Sequence, residues 1–293
     1  MSSAVDSGSV SVRVLRRSKG RVVKPGDTLA VRYEGELVAD GSRFDANFNF
    51  DEFTPVPGRS AFTFPLGAGR VIQGWDTGLS GLRLGQVVEL TIPSPLAYGS
   101  AGSPPSIPPN ADLRFTVELL AALPKDAKRA VYPTLQELGL PPRLASQASK
   151  LGRSAQASKV GTDAGEALNG SSVPDLLIGL AGNDDFSGGA APDVLIGGPG
   201  ANRFRFSSLS DSPAAAGQQD TLLGFNARGG DRLDFSALAD DLRFIGAARF
   251  SGVAGEVRFQ SGRVQLDADG DAQADLELLL PGVKSLGAEA LLF

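Results

Sequence analysis

Residues Gly161–Arg205, set in blocks of nine, read GTDAGEALN, GSSVPDLLI, GLAGNDDFS, GGAAPDVLI and GGPGANRFR. Gly161, Gly170, Gly179, Gly188 and Gly197 open the blocks. Glu166, Asp175, Asp184, Asp193 and Asn202 hold the sixth place, and Leu168, Leu177, Phe186, Leu195 and Phe204 the eighth. Three columns kept in phase over five units make an internal repeat, because chance glycine-rich sequence would not hold acidic and apolar columns in register as well.

Moving outward from the repeat, charge is unevenly spread. Residues 161–293 hold 9 basic and 19 acidic side chains, residues 125–160 hold 7 and 2, and residues 1–124 hold 12 of each. The acidic half argues against nucleic acid as a partner and suits cations. The chain has no cysteine and no histidine. Disulfides, zinc sites built on His or Cys, and any His-assisted Ser or Cys triad are therefore excluded. A hard metal that takes only oxygen, such as calcium, is still allowed. No apolar run approaches the roughly 18 residues a membrane span needs. Met1–Val10 has no basic segment followed by an apolar core, so it is not read as a cleavable signal peptide. A length of 293 residues, 42% of them hydrophobic and 21% charged, fits a soluble chain of two domains.

The nine-residue pattern resembles the G-G-x-G-x-D-x-U-x repeat of RTX proteins. That resemblance implies an all-β domain, a parallel β-roll in which two units make one turn. The eighth-place residues would point inward, and sixth-place carboxylates with turn carbonyls would bind structural calcium between turns. Ligand pairs would then stand two units apart, as Glu166/Asp184, Asp175/Asp193 and Asp184/Asn202. Only the second has two aspartates, and only Gly182 and Gly200 keep the fourth-place glycine. One to three ions are expected. Ser207–Phe293 resembles the region that follows such repeats in serralysin-type proteins, through Gln219–Phe225, Gly230–Ser236, Val264–Asp271 and Ala274–Leu278. Asp267, Asp269 and Asp271 do not make an EF-hand, because Ala272 takes the glycine place and Leu278 the glutamate place. A polar hairpin turn is expected there. The end, Ala288-Glu-Ala-Leu-Leu-Phe293, resembles the uncleaved signal read by type I secretion machinery, with an ordinary final strand as the alternative. The resemblance thus implies a secreted, extracellular protein without a cleavable N-terminal signal.

Residues 125–160 shift to Ala, Ser, Lys and Pro and read as a basic interdomain linker. Short helices are possible at Thr134–Leu138 and Leu144–Leu151, separated by Pro141-Pro142.

Residues 1–124 form the other domain. Val10–Leu15, Thr28–Leu37, Val87–Ile92 and Leu113–Leu119 alternate as half-buried strands, with turns at Lys24–Asp27 and Ala39–Ser42. A short helix is plausible at Gln73–Leu82. This predicts an α+β domain, an antiparallel sheet packed on one helix. Val31–Leu37, Gly41–Asp45, Phe62–Gly67, Val71-Ile-Gln-Gly-Trp75, Leu96–Gly99, Ile107-Pro-Pro109 and Leu113–Leu119 occur in the order found in FKBP-type peptidyl-prolyl cis-trans isomerases, which this part of the chain resembles. The resemblance implies a twisted sheet wrapped on the helix around an apolar pocket for a proline ring. Position by position, that pocket comprises Tyr33, Phe44, Asp45, Phe62, Phe64, Val71, Ile72, Trp75, Tyr98, Ile107 and Phe115. Trp75 would be its floor, Tyr98 OH and the Ile72 N–H would hold substrate carbonyls, and Asp45 would face the rotating carbonyl.

These residue types suit the reaction. Rotation of an X-Pro bond crosses a barrier near 18–20 kcal/mol through a twisted amide that has lost its resonance. Water favours the planar, charge-separated form, and an apolar pocket removes that advantage. No proton shuttle and no cofactor are needed. Two departures bear on substrate choice. The stretch between Asp45 and Phe62 is longer than the compact family form by about eight residues and carries Phe48, Phe50 and Phe53, which could cover the pocket. Ser106 stands where an apolar residue is usual. The partners expected are proline-containing polypeptides and the type I secretion machinery, with the protein itself a monomer. The alternatives are a proline-segment binder without turnover and a calcium-dependent structural protein outside the cell.

Overall fold

The computed structural model describes residues 8–50 and 54–293. Phe53 and the residues before Gly8 lie outside them. The chain divides into two compact units, Met1–Gly139 and Leu140–Phe293. Among the described residues no helix is long and apolar enough to cross a membrane.

The first unit is built from β1 (Ser11–Arg16), β2 (Thr28–Leu37), β3 (Arg43–Ala46), β4 (Phe48–Asn49), β5 (Thr54–Pro55), β6 (Phe62–Pro65), α1 (Gln73–Gly78), β7 (Val87–Ile92) and β8 (Leu113–Leu123). The antiparallel sheet runs β1-β7-β8-β2-β3, with β6 also paired to β2. One edge of β2 pairs along its length with β8. The other edge is shared: β6 takes Thr28–Val31 and β3 takes Glu34–Glu36. Asn47 fills the gap between them. Its Oδ1 accepts the Tyr33 N–H at 2.7 Å, and its Nδ2 donates to the Val31 and Ser60 carbonyls at 3.1 Å each. Backbone groups that would lose a ladder partner are thereby satisfied.

The inner face of the sheet carries Val31, Tyr33, Val88, Leu90, Phe115 and Val117, and Trp75 on α1 and Leu79 just after it are buried in the same core. The helix is shorter than the expected span of 73–82. It stops at Gly78, and the chain then reverses so that the N–H of Gly81 donates to the Val23 carbonyl at 3.0 Å. Beneath the sheet edge, Arg16 is buried and meets Glu118 at 2.5 Å, while Arg32 reaches the same carboxylate at 3.2 Å.

The stretch expected as a linker contributes to both units. Val131 bridges to Ala122, the Lys19 N–H donates to the Glu137 carbonyl at 2.7 Å, and Leu138 is buried in the first unit. Thr134–Leu138 is a turn rather than a helix, closed by reciprocal bonds between Thr134 and Glu137. The second unit opens with α2 (Pro142–Leu151), whose Pro142 occupies the first helical turn, where a missing N–H costs nothing.

The second unit continues with β9 (Ala157–Val160), β10 (Ala167–Ser171), β11 (Asp175–Ile178), β12 (Asp185–Gly189), β13 (Val194–Ile196), β14 (Arg203–Arg205), β15 (Asp220–Leu222) and β16 (Arg232–Asp234). It ends with β17 (Arg243–Phe244), β18 (Glu256–Gln260), β19 (Arg263–Asp267), β20 (Leu276–Leu279) and β21 (Leu291–Leu292). Successive nine-residue units alternate between two parallel sheets, β10-β12-β14-β16-β21 and β9-β11-β13-β15-β20. Register follows the columns read from the sequence. Leu168 pairs with Phe186 and Phe186 with Phe204 in one sheet, and Leu177 with Leu195 in the other. All five side chains are buried, and the Phe186 and Phe204 rings stack at 4.8 Å. Each such burial contributes about 1.5–3 kcal/mol, so the apolar column stabilises the stacked turns. The second sheet extends antiparallel through β19 and β18. The acidic run 267–275 connects β19 to β20 as a hairpin turn, and β21 adds the chain's end to β16 as a strand.

Candidate functional site

In the first unit the pocket grows out of one ring cluster. Trp75 on α1 is only 4% exposed. Its ring stands edge-on to Tyr33 at 5.4 Å and to Phe115 at 5.2 Å, and tilts against Phe64 at 5.5 Å. Phe44 meets Phe115 edge-on at 5.5 Å. Glycine at 35 makes this packing possible, since a Cβ there would lie 2.6 Å from Phe115 and 2.8 Å from Phe44. Asp76 fastens the loop before the helix by accepting the N–H groups of Gly67 and Gly69 at 2.7 and 2.9 Å. This holds Arg70, Val71 and Ile72 at the pocket mouth.

The result is a cavity of about 220 Å³ lined by Tyr33, Phe44, Asp45, Phe62, Arg70, Val71, Ile72, Trp75, Tyr98 and Phe115. Nine of these were expected. Phe64 and Ile107 are not among them. Both are buried in the core, Phe64 deeper along β6 than Phe62 and beneath the Trp75 ring, so they support the wall rather than form it. Arg70 was missed. Its position follows from the loop path and leaves no periodic trace in the sequence. Among the described residues of the elongated stretch, none of 46–50 and 56–61 lines the hollow. Phe48 is buried elsewhere, against Phe50 and under the Arg32 guanidinium at 4.5 Å. Ser106 is exposed and also outside the lining.

Polar groups gather at the rim. The Tyr33 hydroxyl donates to Asp45 Oδ2 at 2.6 Å, and Arg59 stands 3.6 Å from Asp45 Oδ1. Burial, and then the hydrogen bond to Asp45, push the Tyr33 phenol pKa up, so it stays a donor. Tyr98 is 41% exposed and its hydroxyl has no partner among the described residues. The backbone N–H of Ile72 makes no bond within the described chain either. The Arg70 guanidinium is exposed and has no partner among the described residues. A ring-lined floor with the Tyr98, Ile72 and Arg70 donors at its mouth can accept an apolar ring and hold carbonyl oxygens beside it.

In the second unit the sixth-place residues stack along two edges of the roll. On one, the Asp175 N–H donates to Asp193 Oδ1 at 2.7 Å and the Asp193 N–H to Asp220 Oδ1 at 2.8 Å. On the other, the Glu166 N–H donates to Asp184 Oδ1 at 3.0 Å, the Asp184 N–H to Asn202 Oδ1 at 3.1 Å, and the Asn202 N–H to Asp231 Oδ1 at 3.1 Å. Glu166 also accepts the N–H and hydroxyl of Thr162. Asp175, Asp184, Asp193 and Asp220 are buried, and each keeps one carboxylate oxygen without a partner. Burial, then neighbouring carboxylates, push Asp184 up to about 7 and Asp193 up to about 8, and raise Asp220 well above the usual range.

Asp220 and Asp231 were missed in the sequence. They repeat the Asp-x-Leu spacing of the columns, as Asp220-Thr-Leu222 and Asp231-Arg-Leu233. They stand 27 and 29 residues from Asp193 and Asn202, where successive levels of the repeat are 18 apart; Asp231 has left the nine-residue phase, while Asp220 keeps it after nine extra residues. Asp267, Asp269 and Asp275 also bring carboxylate oxygens within 4.8 Å of one another, but both Asp267 oxygens already accept backbone N–H groups within the hairpin.

Comparison with known proteins divides along the same lines. Residues 19–120 match the family model described as FKBP-type peptidyl-prolyl cis-trans isomerase, and residues 161–289 the model described as Peptidase M10 serralysin C terminal. FK506-binding protein 1A of Emericella nidulans is 45% identical over 114 residues, 38% of this chain and 97% of the relative. Peptidyl-prolyl cis-trans isomerase FPR2 of Saccharomyces cerevisiae is 46% identical over 96 residues, 33% of this chain and 65% of the relative. Peptidyl-prolyl cis-trans isomerase FKBP53 of Arabidopsis thaliana is 43% identical over 104 residues, 36% of this chain and 20% of the relative. The chain thus spans less than two thirds of the length of the last two. Among solved structures, FkpA from Escherichia coli is 39% identical over 40% of this chain and 49% of that one, with a TM-score of 0.34.

Proposed function

Because this chain belongs, through residues 19–120, to the FKBP-type peptidyl-prolyl cis-trans isomerase family, we propose that it catalyses rotation about X-Pro bonds and carries a calcium-binding roll that serves outside the cell. The observation that carries the catalytic reading is the open, ring-lined hollow with the unpartnered Tyr98 hydroxyl and Ile72 N–H at its mouth. The proline ring sits on Trp75 between Tyr33, Phe62 and Phe115. The two donors hold neighbouring carbonyl oxygens. Asp45, fixed by Tyr33 and Arg59, faces the carbonyl that swings. Water is kept from the amide, so the planar charge-separated form loses its solvent advantage while the twisted form does not. Each tenfold of rate requires about 1.4 kcal/mol of such differential stabilisation. Desolvation with two hydrogen bonds can supply several such factors. No nucleophile, base or cofactor takes part.

The calcium reading is supported by the four buried carboxylate oxygens that lack partners. Isolated buried anions are costly, and oxygen-only sites of this kind suit calcium. Asp175, Asp184, Asp193 and Asp220 would hold the ions, with backbone carbonyls and water completing the shell. When bound, calcium neutralises the carboxylate columns and so ties successive turns together. The similarity of residues 161–289 to the serralysin C-terminal region supports export by type I secretion machinery. Low calcium inside the cell would leave the roll loosely folded for passage, and higher calcium outside would fold it.

The test of the catalytic reading is a solvent-jump assay on a short X-Pro peptide with the full chain. A catalytic increment proportional to protein concentration is expected, and an uncatalysed rate at every concentration would end the proposal. For the roll, far-ultraviolet circular dichroism should report gained structure as calcium rises to the millimolar range, and a flat titration would rule the calcium reading out.

A further inference from the structure

The two edges of the roll differ in how their sixth-place side chains are satisfied. On the edge of Asp175, Asp193 and Asp220, the upper two carboxylates each use one oxygen to accept the N–H of the preceding level. Asp175 uses Oδ2 to accept the N–H and hydroxyl of Ser171, at 2.7 and 2.9 Å. The other oxygens, Asp175 Oδ1, Asp193 Oδ2 and Asp220 Oδ2, are buried and bare. The last two share one small space. A Cβ placed on Gly188 would lie 2.4 Å from Asp193 Oδ2 and 3.2 Å from Asp220 Oδ2, so glycine at 188 keeps that space open. Two fully buried carboxylate oxygens facing one gap must either take up a proton or share a cation between them, and the gap admits a cation.

The opposite edge has solved the same problem within the protein. Asn202 Oδ1 accepts the Asp184 N–H at 3.1 Å, as a carboxylate would. Its Nδ2, standing where the aspartates present a bare oxygen, donates to Asp231 Oδ1 at 2.9 Å and to the Gly198 carbonyl at 3.2 Å. This is the orientation of the amide that sets donors against acceptors. Asp231 Oδ2 accepts the Asn226 N–H at 2.8 Å, so every polar atom of this level has a partner. Only Asp184 Oδ2 is bare on this edge.

We propose that the Asp175/Asp193/Asp220 edge binds calcium at two levels, the second between Asp193 and Asp220 beyond the last nine-residue unit, whereas on the other edge the Asn202 amide replaces a cation. This rests on the calcium reading above and refines it. Asn202, which the spacing alone places among the ligands, closes its level without metal, and Asp220, beyond the five repeat units, becomes a ligand.

The test is calcium stoichiometry of the full chain by isothermal titration calorimetry, with Asp220→Asn and Asn202→Asp variants. Asn at 220 can still accept the Asp193 N–H while offering a donor to the Asp193 oxygen, the arrangement already present at 202. Asp220→Asn should therefore lose one calcium per chain and show more β structure by circular dichroism in the presence of a chelator. Asn202→Asp, which brings two carboxylates together, should gain one calcium and lose structure in the chelator. An unchanged count in either variant would overturn the inference while leaving the calcium reading in place. A wild-type chain that takes up no calcium at millimolar concentration would overturn both. If Asp220→Asn does not fold, the Asn202→Asp count decides alone.

Discussion

Replacing Tyr98 by phenylalanine separates catalysis from stability in this pocket. The ring lines the hollow, while the hydroxyl has no partner among the described residues and the side chain is 41% exposed. The folded state therefore loses no bond with the oxygen, and stability should stay within about 0.5 kcal/mol of the parent. In the rotating complex the hydroxyl holds a carbonyl in a site closed to water. One such bond contributes roughly 0.5–1.5 kcal/mol, which at about 1.4 kcal/mol per decade corresponds to a roughly 2- to 12-fold fall in kcat/KM. The assay is solvent-jump isomerisation of a short X-Pro peptide, run beside thermal unfolding followed by Trp75, the chain's one tryptophan. Unchanged kcat/KM with an unchanged midpoint would refute the role given to this hydroxyl. Tyr33→Phe is the contrast, because it removes the 2.6 Å bond to Asp45 and should lower both stability and rate.

Other consequences follow from single contacts. Glu118 is fully buried; burial raises its pKa, but Arg16 and Arg32 outweigh that and hold the carboxyl below its ordinary value of 4.5. A depressed folded pKa stabilises above the unfolded value and is lost as pH falls through the folded one. The Trp75-reported unfolding midpoint should therefore drop with acidification below about pH 4.5. Glu118→Gln should cost about 3 kcal/mol at neutral pH, by removing the carboxylate that the buried Arg16 shares with Arg32, and should flatten that acid dependence. A neutral-pH midpoint equal to the parent's would contradict the pairing. Gly35→Ala drives a methyl into Phe115 and Phe44. It should destabilise by roughly 1–3 kcal/mol and lower kcat/KM more than Tyr98→Phe does, measured in the same two assays. Among the described residues at the rim, Arg70 and Arg59 outweigh Asp45, and Arg70 has no partner. Peptides with glutamate before proline should be turned over about two- to threefold faster than those with lysine, as expected for an exposed charge pair. Arg70→Glu should reverse that order, and an unchanged order would show that the rim charge does not select.

What could be read in advance depended on how each feature is written in the chain. The roll was legible in two steps: the nine-residue spacing set Leu168, Phe186 and Phe204 in one column, and the resemblance to RTX repeats implied two units per turn, the parallel register in which they pair. The sheet of the first unit was legible from alternation, with Thr28–Leu37 and Val87–Ile92 reproduced to the residue. Asp220 and Asp231 escaped because they stand 27 and 29 residues beyond their partners, where one level of the repeat takes 18, although the Asp-x-Leu signature is intact. Arg70 and Arg59 escaped for another reason. Their approach to the hollow is set by loop paths, through Asp76 in one case and the Asn47 clasp on β2 in the other, and no local pattern encodes where such a loop ends. Phe64 and Ile107 show the converse limit, since an apolar side chain in the right segment can stand one layer behind the wall it was expected to form.

The central claim is that the hollow lowers the barrier to X-Pro rotation and does more than hold the peptide. Exchange spectroscopy by NMR on an X-Pro peptide in large excess over the full chain tests this directly. The account predicts cis–trans exchange brought into the seconds range or faster by sub-stoichiometric protein, with the cis:trans ratio of the free peptide unchanged. Peptide signals that shift on binding while exchange stays at the uncatalysed rate would contradict it.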